Sequence, residues 1–189
     1  MAHASRRWSA AWKESICGSH TIACCSSLDA SAGVNTITVE VTAQDGITAR
    51  TYTVTLDNSA FGVWKSGKFT GVGELASAAV SGELATPAHD DITNVMKYAL
   101  ALDPMPCGSG GLPTAAPQGG YLTLTYRKNK QAVDVTYTVQ SSDSLNGIWA
   151  PATTVTSQAD QGTYTVVTVR DTVPGSGYPH RFMRLQVSR

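Results

Sequence analysis

Apolar residues recur at every second position in one stretch after another of this chain, and that period constrains its fold more than any other feature. Ile37, Val39, Val41 and Ala43 alternate with Thr38, Glu40 and Thr42, and Tyr52, Val54 and Leu56 alternate with threonines. Gln44-Asp45-Gly46 supplies turn chemistry between the two runs, so together they read as a β-hairpin with one buried face. The same period returns in Leu122, Leu124 and Tyr126, in Val133, Val135, Tyr137 and Val139, and in Met183, Leu185 and Val187. Residues 164–169 form a nearly continuous β-branched run. Arg127-Lys128-Asn129-Lys130 marks the first of the later connections as a hairpin. Strands separated by turn signals favour a mostly-β fold, an antiparallel β-sandwich.

One stretch departs from that period. Within residues 83–104, Ile92, Val95, Met96, Ala99 and Leu102 fall at i, i+3, i+4, i+7 and i+10, one apolar stripe of a helix. Asp90 or Asp91 caps its start, where a negative charge suits the helix dipole. Pro104 disfavours helical geometry at Asp103 and ends it. About three turns are too few to be stable alone in water, so the stripe docks on the strands that follow. Earlier, Phe61, Val63, Trp64 and Phe69 surround a Lys-Ser-Gly turn, and residues 74–80 suit a short helix. Prolines and glycines between Met105 and Gly120 read as a long surface loop.

The 189 residues allow one full domain plus a smaller unit, or two small domains. Fourteen basic residues balance fourteen acidic ones, so no charge excess steers the chain toward nucleic acid or an anionic membrane. The basic run at 127–130 reads as a solvated turn, without the interleaved aromatics of a nucleic-acid site. No run approaches the ~18 apolar residues of a membrane span, and Lys13 and Glu14 interrupt the N-terminal stretch where a signal peptide needs an apolar core. Residues 1–28 hold no sustained period and read as a disordered or non-native leader. A hairpin unit at 29–58 and a larger unit at 61–189 follow. Cys17, Cys24 and Cys25 crowd around His20, but the spacing fits no standard metal motif, and with Cys107 they read as incidental thiols.

The hairpin from Gly33 to Leu56 resembles the last two strands of bacterial cadherin-like β-sandwich domains, which end in Gly-x-Asn-x-Ile-x-Val-x-Val-Thr-Ala-x-Asp-Gly-x-Thr-x-x-Tyr-Thr-Val; here Gly33, Asn35, Ile37, Val39, Val41 and Asp45-Gly46 stand in those places, and Tyr52-Thr53-Val54 follows one residue later. The earlier strands of such a sandwich are not in the sequence before it. A lone hairpin is marginally stable, so the resemblance implies a partner for its apolar face, either the downstream unit or a second copy paired through the strands. Residues 61–189 resemble the C-terminal module of large Verrucomicrobia-type surface and secreted proteins. Ile92-Thr93-Asn94, Lys97-Tyr98-Ala99-Leu100 and Leu102-Asp103-Pro104 carry the likeness, as do Ser142-Asp143-Ser144-Leu145, Val169-Arg170-Asp171 and Arg181-Phe182-Met183-Arg184-Leu185. It implies a secreted or cell-surface parent protein.

Three kinds of chemistry deserve a place in the reading. The family's acidic loop resembles calcium loops, in which alternate aspartates surround one ion. Here Thr86, Ala88 and Asp90 occupy the three aspartate positions and Asp91 replaces a glycine. Calcium would then draw on Glu83, Asp90, Asp91 and Asp103; the plainer alternative leaves the aspartates as helix caps. His89 beside Asp90, or His180 in a Tyr-Pro-His-Arg turn, would serve a small calcium-dependent hydrolase of esters or lactones, although no nucleophile elbow accompanies them. Trp64, Tyr121, Tyr126, Tyr137, Trp149, Tyr164 and Tyr178 would form a carbohydrate-stacking platform if exposed, and core contacts if not. The residues favour a non-catalytic structural or adhesive module, with the hydrolase and the carbohydrate-binding module as alternatives.

Overall fold

The structure is a computed structural model that describes residues 21–22, 33–43, 45–105, 110–151, 153–176 and 180–189. The four cysteines, Tyr178 and the leader apart from Thr21–Ile22, His20 included, lie outside the described residues. The chain divides into two compact units that part between Val63 and Trp64.

In the first unit, strands β1 (Thr21–Ile22), β2 (Val34–Thr42) and β3 (Ala49–Asp57) form one antiparallel sheet in that order. The hairpin register pairs Asn35 with Leu56, Ile37 with Val54 and Val39 with Tyr52, which puts the alternating apolar residues on one face. Asp45 organises the turn, its Oδ1 accepting from the backbone N–H groups of Ile47 and Thr48 at 2.9 and 2.8 Å. The face is less covered than its pattern suggests. Ile37, Val39 and Val41 are half-buried, but Tyr52 and Val54 are each 53% exposed. The unit's described strands make a single layer, and a single layer cannot bury its own face.

Helix α1 (Ala60–Lys68) runs across the point where the units part. Lys65-Ser66-Gly67 is helical here and forms no turn. Ser59 nucleates the helix, its Oγ accepting from Gly62 N at 3.0 Å while its carbonyl accepts from Val63 N at 2.9 Å.

The second unit is an antiparallel β-sandwich. Its helices are α2 (Ala78–Ser81) and α3 (Asn94–Ala99). Its strands are β4 (Thr114–Gln118), β5 (Tyr121–Asn129), β6 (Thr136–Ser142), β7 (Thr153–Asp160), β8 (Tyr164–Pro174) and β9 (Phe182–Ser188). One sheet has the order β4-β5-β8-β7, and β6 pairs with β9 in the other. Leu124, Tyr126, Val167 and Val169 from the first sheet meet Val139 of the second around Leu100, with Tyr137, Met183 and Leu185 packed against them. Burial of such a face is the main favourable term in folding.

Two expectations change here. Arg127-Lys128-Asn129 does not turn back; it continues β5, paired with Tyr164, Thr165 and Val166 of β8. The next strand crosses to the other sheet, so the hairpin expected between β5 and β6 is absent. The proline- and glycine-rich stretch before Gly120 is not all loop either. Gly119 and Gly120, with φ of 58° and 81°, make the tight two-residue turn that mirror-image hairpin geometry requires, and β4 pairs back onto β5. Pro117 is tolerated because β4 is an edge strand.

The helix that docks on this sandwich is shorter and more polar on its buried side than its apolar stripe suggests. Thr93, not Asp90 or Asp91, is its N-cap, its side chain accepting from Met96 N. It ends at Ala99, well before Pro104. Ala101 takes a left-handed φ of 55°, Leu102 N donates to Lys97 O at 2.8 Å and Ala101 N to Tyr98 O at 3.2 Å, the paired bonds of a Schellman stop. Beside the buried Ala99, its buried polar side chains are Asn94, Lys97 and Tyr98, at i, i+3 and i+4. Each is held by polar partners. Asn94 Nδ2 donates to Val80 O and Gly82 O at 2.8 and 2.9 Å, and Tyr98 OH to Asp134 Oδ1 at 2.8 Å. Asn129 Nδ2 and Tyr137 OH donate in turn to Tyr98 O and Ala99 O. The helix thus ties the preceding segment and the β5–β6 connection to the sandwich.

Candidate functional site

The acidic loop before α3 distributes its carboxylates among separate partners. Asp90 Oδ2 lies 2.7 Å from Lys97 Nζ, and that buried ammonium also donates to Pro104 O at 2.9 Å. The Lys97 side chain holds the Asp90 carboxyl below its ordinary range, with burial pulling the other way. Asp103 faces Lys68 at 2.6 Å, and Glu83 pairs with Arg189. Asp91 is exposed with a φ of 59°. Glu83, Asp90, Asp91 and Asp103 therefore do not converge, and among the described residues no three His, Cys, Asp or Glu side chains gather where they would hold a metal.

Neither histidine is drawn to a carboxylate. His89 is exposed on a left-handed backbone, φ 55°, and His180 is exposed with its ring 6.4 Å from Phe182. Ser141 does meet a carboxylate, its Oγ donating to Asp171 Oδ1 at 3.2 Å. Arg181 clamps the same group, its Nε and Nη2 donating to Asp171 Oδ2 at 2.8 and 2.6 Å and its Nη2 to Ser141 Oγ at 3.1 Å. Asp171 is wholly buried and Ser141 is 3% exposed. A charge-assisted cluster sealed in this way joins β8 to β6 and the chain entering β9; it offers no base to Ser141 and no approach for a substrate. The pattern that would have revealed it, a lone Asp inside a β-branched run, carries a buried charge and thus demands a cation.

Of the candidate stacking residues, those described divide between core and arginine-capped surface. Tyr126 and Tyr137 stack at 6.1 Å inside the sandwich, where burial pushes the Tyr137 hydroxyl up to about 12. Trp64 packs on Tyr98 at 5.4 Å and on Phe69 at 6.2 Å. Guanidinium groups lie over the remaining rings: Arg170 over Tyr121 at 4.3 Å, Arg127 over Tyr164 at 4.7 Å and Arg184 over Trp149 at 4.3 Å. A ring face covered by an arginine is not open to stack on a sugar.

A concavity of about 700 Å³ lies on the face of the four-stranded sheet that turns away from the core. Thr123, Thr125, Thr168 and Arg170 reach it from β5 and β8, while Thr156 enters from the bulge in β7. Sequence reasoning missed this surface because β4 and β7, which wall it, did not show strand periodicity. No family model matches the chain, and neither the curated proteins nor the solved structures contain a match. No helix among the described residues is long and apolar enough to cross a membrane.

Proposed function

We propose that this chain is a non-catalytic structural or adhesive β-sandwich module of a larger bacterial surface or secreted protein. The observation that carries the reading is the way the chain uses its chemistry-bearing side chains. Asp90, Asp103 and Glu83 each neutralise a different cation, and Ser141 and Asp171 are sealed beneath Arg181. Groups spent on such contacts stabilise loops and sheets, whereas catalysis needs a nucleophile and a base within reach of one another and of a substrate. The half-exposed row of Tyr52, Val54 and Leu56 supports an adhesive role, since it offers a face and a strand edge to a second copy or to a neighbouring surface protein. The resemblance of residues 33–56 to the closing strands of cadherin-like domains supports the same reading.

The test is a turnover panel of small esters, lactones and glycosides, run with calcium and with EDTA. Background rates throughout are expected, as is a melting temperature that does not respond to millimolar calcium. Turnover abolished by His89→Ala, or a calcium-dependent rise in melting temperature abolished by Asp91→Asn, would overturn the reading in favour of the calcium-dependent hydrolase.

A further inference from the structure

We infer that the outer concavity of the four-stranded sheet is a binding site for an acidic sugar, a ligand with one oxyanion and several hydroxyl groups. The inference deepens the proposed function by giving the module a ligand class. It uses the polar floor of the sheet and the arginine that covers Tyr121, not an open aromatic face.

The argument rests on what each lining group has left to offer. Among the described residues, Arg170 is the only charged one lining the concavity. Among the described residues no carboxylate pairs with it, and its buried Nε has no hydrogen-bond partner. Its guanidinium lies 4.3 Å from the Tyr121 ring centre. A planar cation stacked on an aromatic ring is held in place, and Arg170, which lines the concavity, keeps its terminal N–H groups, unlike the buried Nε, for an oxyanion. An arginine of this kind is the group a carboxylate or sulfate seeks, because paired N–H donors match its oxygens.

The threonines supply the opposite character. Thr123 Oγ1 donates to Ala116 O at 2.7 Å, and Thr156 Oγ1 donates to Thr168 O at 3.1 Å. The Thr125 and Thr168 hydroxyls share one hydrogen bond at 3.0 Å, so only one of that pair keeps a proton to give. Each hydroxyl oxygen keeps acceptor capacity. The floor is therefore acceptor-rich beside one fixed cation. Its complement is a molecule rich in hydroxyl donors with a single anionic group, which is the chemistry of a uronic acid or a sulfated sugar. A volume of about 700 Å³ falls within the range usual for small-ligand sites.

Binding is tested on the full chain by isothermal calorimetry and by amide chemical-shift mapping. The probes are a galacturonic acid trisaccharide, a galactose 6-sulfate saccharide, a neutral galactose trisaccharide and inorganic sulfate. At least one acidic sugar is expected to bind, with shifts confined to residues 116–125, 156–157 and 168–170. The neutral sugar and inorganic sulfate are expected to bind at least tenfold more weakly. Arg170→Gln is expected to weaken the acidic sugar at least tenfold and Thr125→Val severalfold. Arg127→Gln, on the same face of β5 but outside the concavity, should leave it unchanged. The carboxylated and sulfated probes separate the two sources of the oxyanion. Equal binding of the neutral sugar would remove the role given to Arg170, equal binding of sulfate would remove the sugar, and no binding of any probe would overturn the site. Should Arg170→Gln fail to fold, the shift map and Thr125→Val decide alone. None of these results bears on turnover, so the site can fail while the non-catalytic reading stands.

Discussion

The hairpin β2–β3 and the strand pair β5–β8 carry the same sequence signature, β-branched and aromatic residues alternating with threonine, yet their apolar faces meet different fates. In the sandwich, Leu124, Tyr126, Val167 and Val169 lie beneath a second sheet and the C-terminus of α3, each less than a tenth exposed. In the hairpin, Val54 and Tyr52 stay about half exposed. Alternation thus tells which side of a strand is apolar and leaves open what, if anything, covers it. Cover comes from residues elsewhere in the sequence, and a strand pair owes its stability mainly to that cover.

The largest contrast between the two regions should appear when the same substitution is made in each. Leu100→Ala empties a site that is fully buried among both sheets and should cost about 2–5 kcal/mol. Leu56→Ala, on the half-open hairpin face, should cost under about 1 kcal/mol. Urea unfolding of both variants measures the difference, and equal losses would break the comparison.

Much of this was legible in sequence and some was not, for identifiable reasons. The hairpin register and the central strands β5, β6, β8 and β9 follow from period two. The edge strands were hidden. β4 contains Pro117 and follows a run of turn residues, and β7 reads Thr-Thr-Val-Thr-Ser-Gln-Ala-Asp, largely polar because its side chains face outward. The Gly119-Gly120 pair was the one available signal for β4. The helix was found, and Met96, Ala99 and Leu102 of its stripe do meet the core, but the polar part of its buried face was hidden. Asn94, Lys97 and Tyr98 are buried as well because each has partners outside the helix, Val80 O, Pro104 O and Asp134 among them. Burial of a polar group depends on such partners, and a local pattern cannot contain them. The candidate carboxylates could be picked out by residue type alone; their separate cations, Lys68, Lys97 and Arg189, could not.

A smaller effect comes from the Schellman stop of α3. Ala101 holds a left-handed backbone that glycine adopts without strain. Ala101→Gly should raise stability by about 1 kcal/mol, less the added freedom of glycine in the unfolded chain. The matching change in the hairpin, Gly46→Ala at φ 68°, should lower stability through the same strain. Paired thermal melts check the opposite signs.

The smallest contrast concerns acid. The folded-state pKa of Asp90 is lowered below the ordinary 3.8 chiefly by Lys97, and that of Asp45 chiefly by the Thr48 hydroxyl. Each carboxylate therefore contributes stability that is present above its unfolded pKa and is lost as pH falls through the lowered folded value. Stability of the native chain relative to Asp90→Asn should be constant above about pH 5 and should shrink below about pH 4. A difference that grew on acidification would contradict the Lys97 pairing.

Native-state hydrogen exchange tests most directly whether cover, rather than alternation, holds these strands. Amides in the core register of β5 and β8, where Leu124 pairs with Val169 and Tyr126 with Val167, should exchange only through global unfolding. Amides where Ile37 pairs with Val54 and Val39 with Tyr52 should exchange through openings of much lower free energy. Equal protection in the two strand pairs would contradict the account.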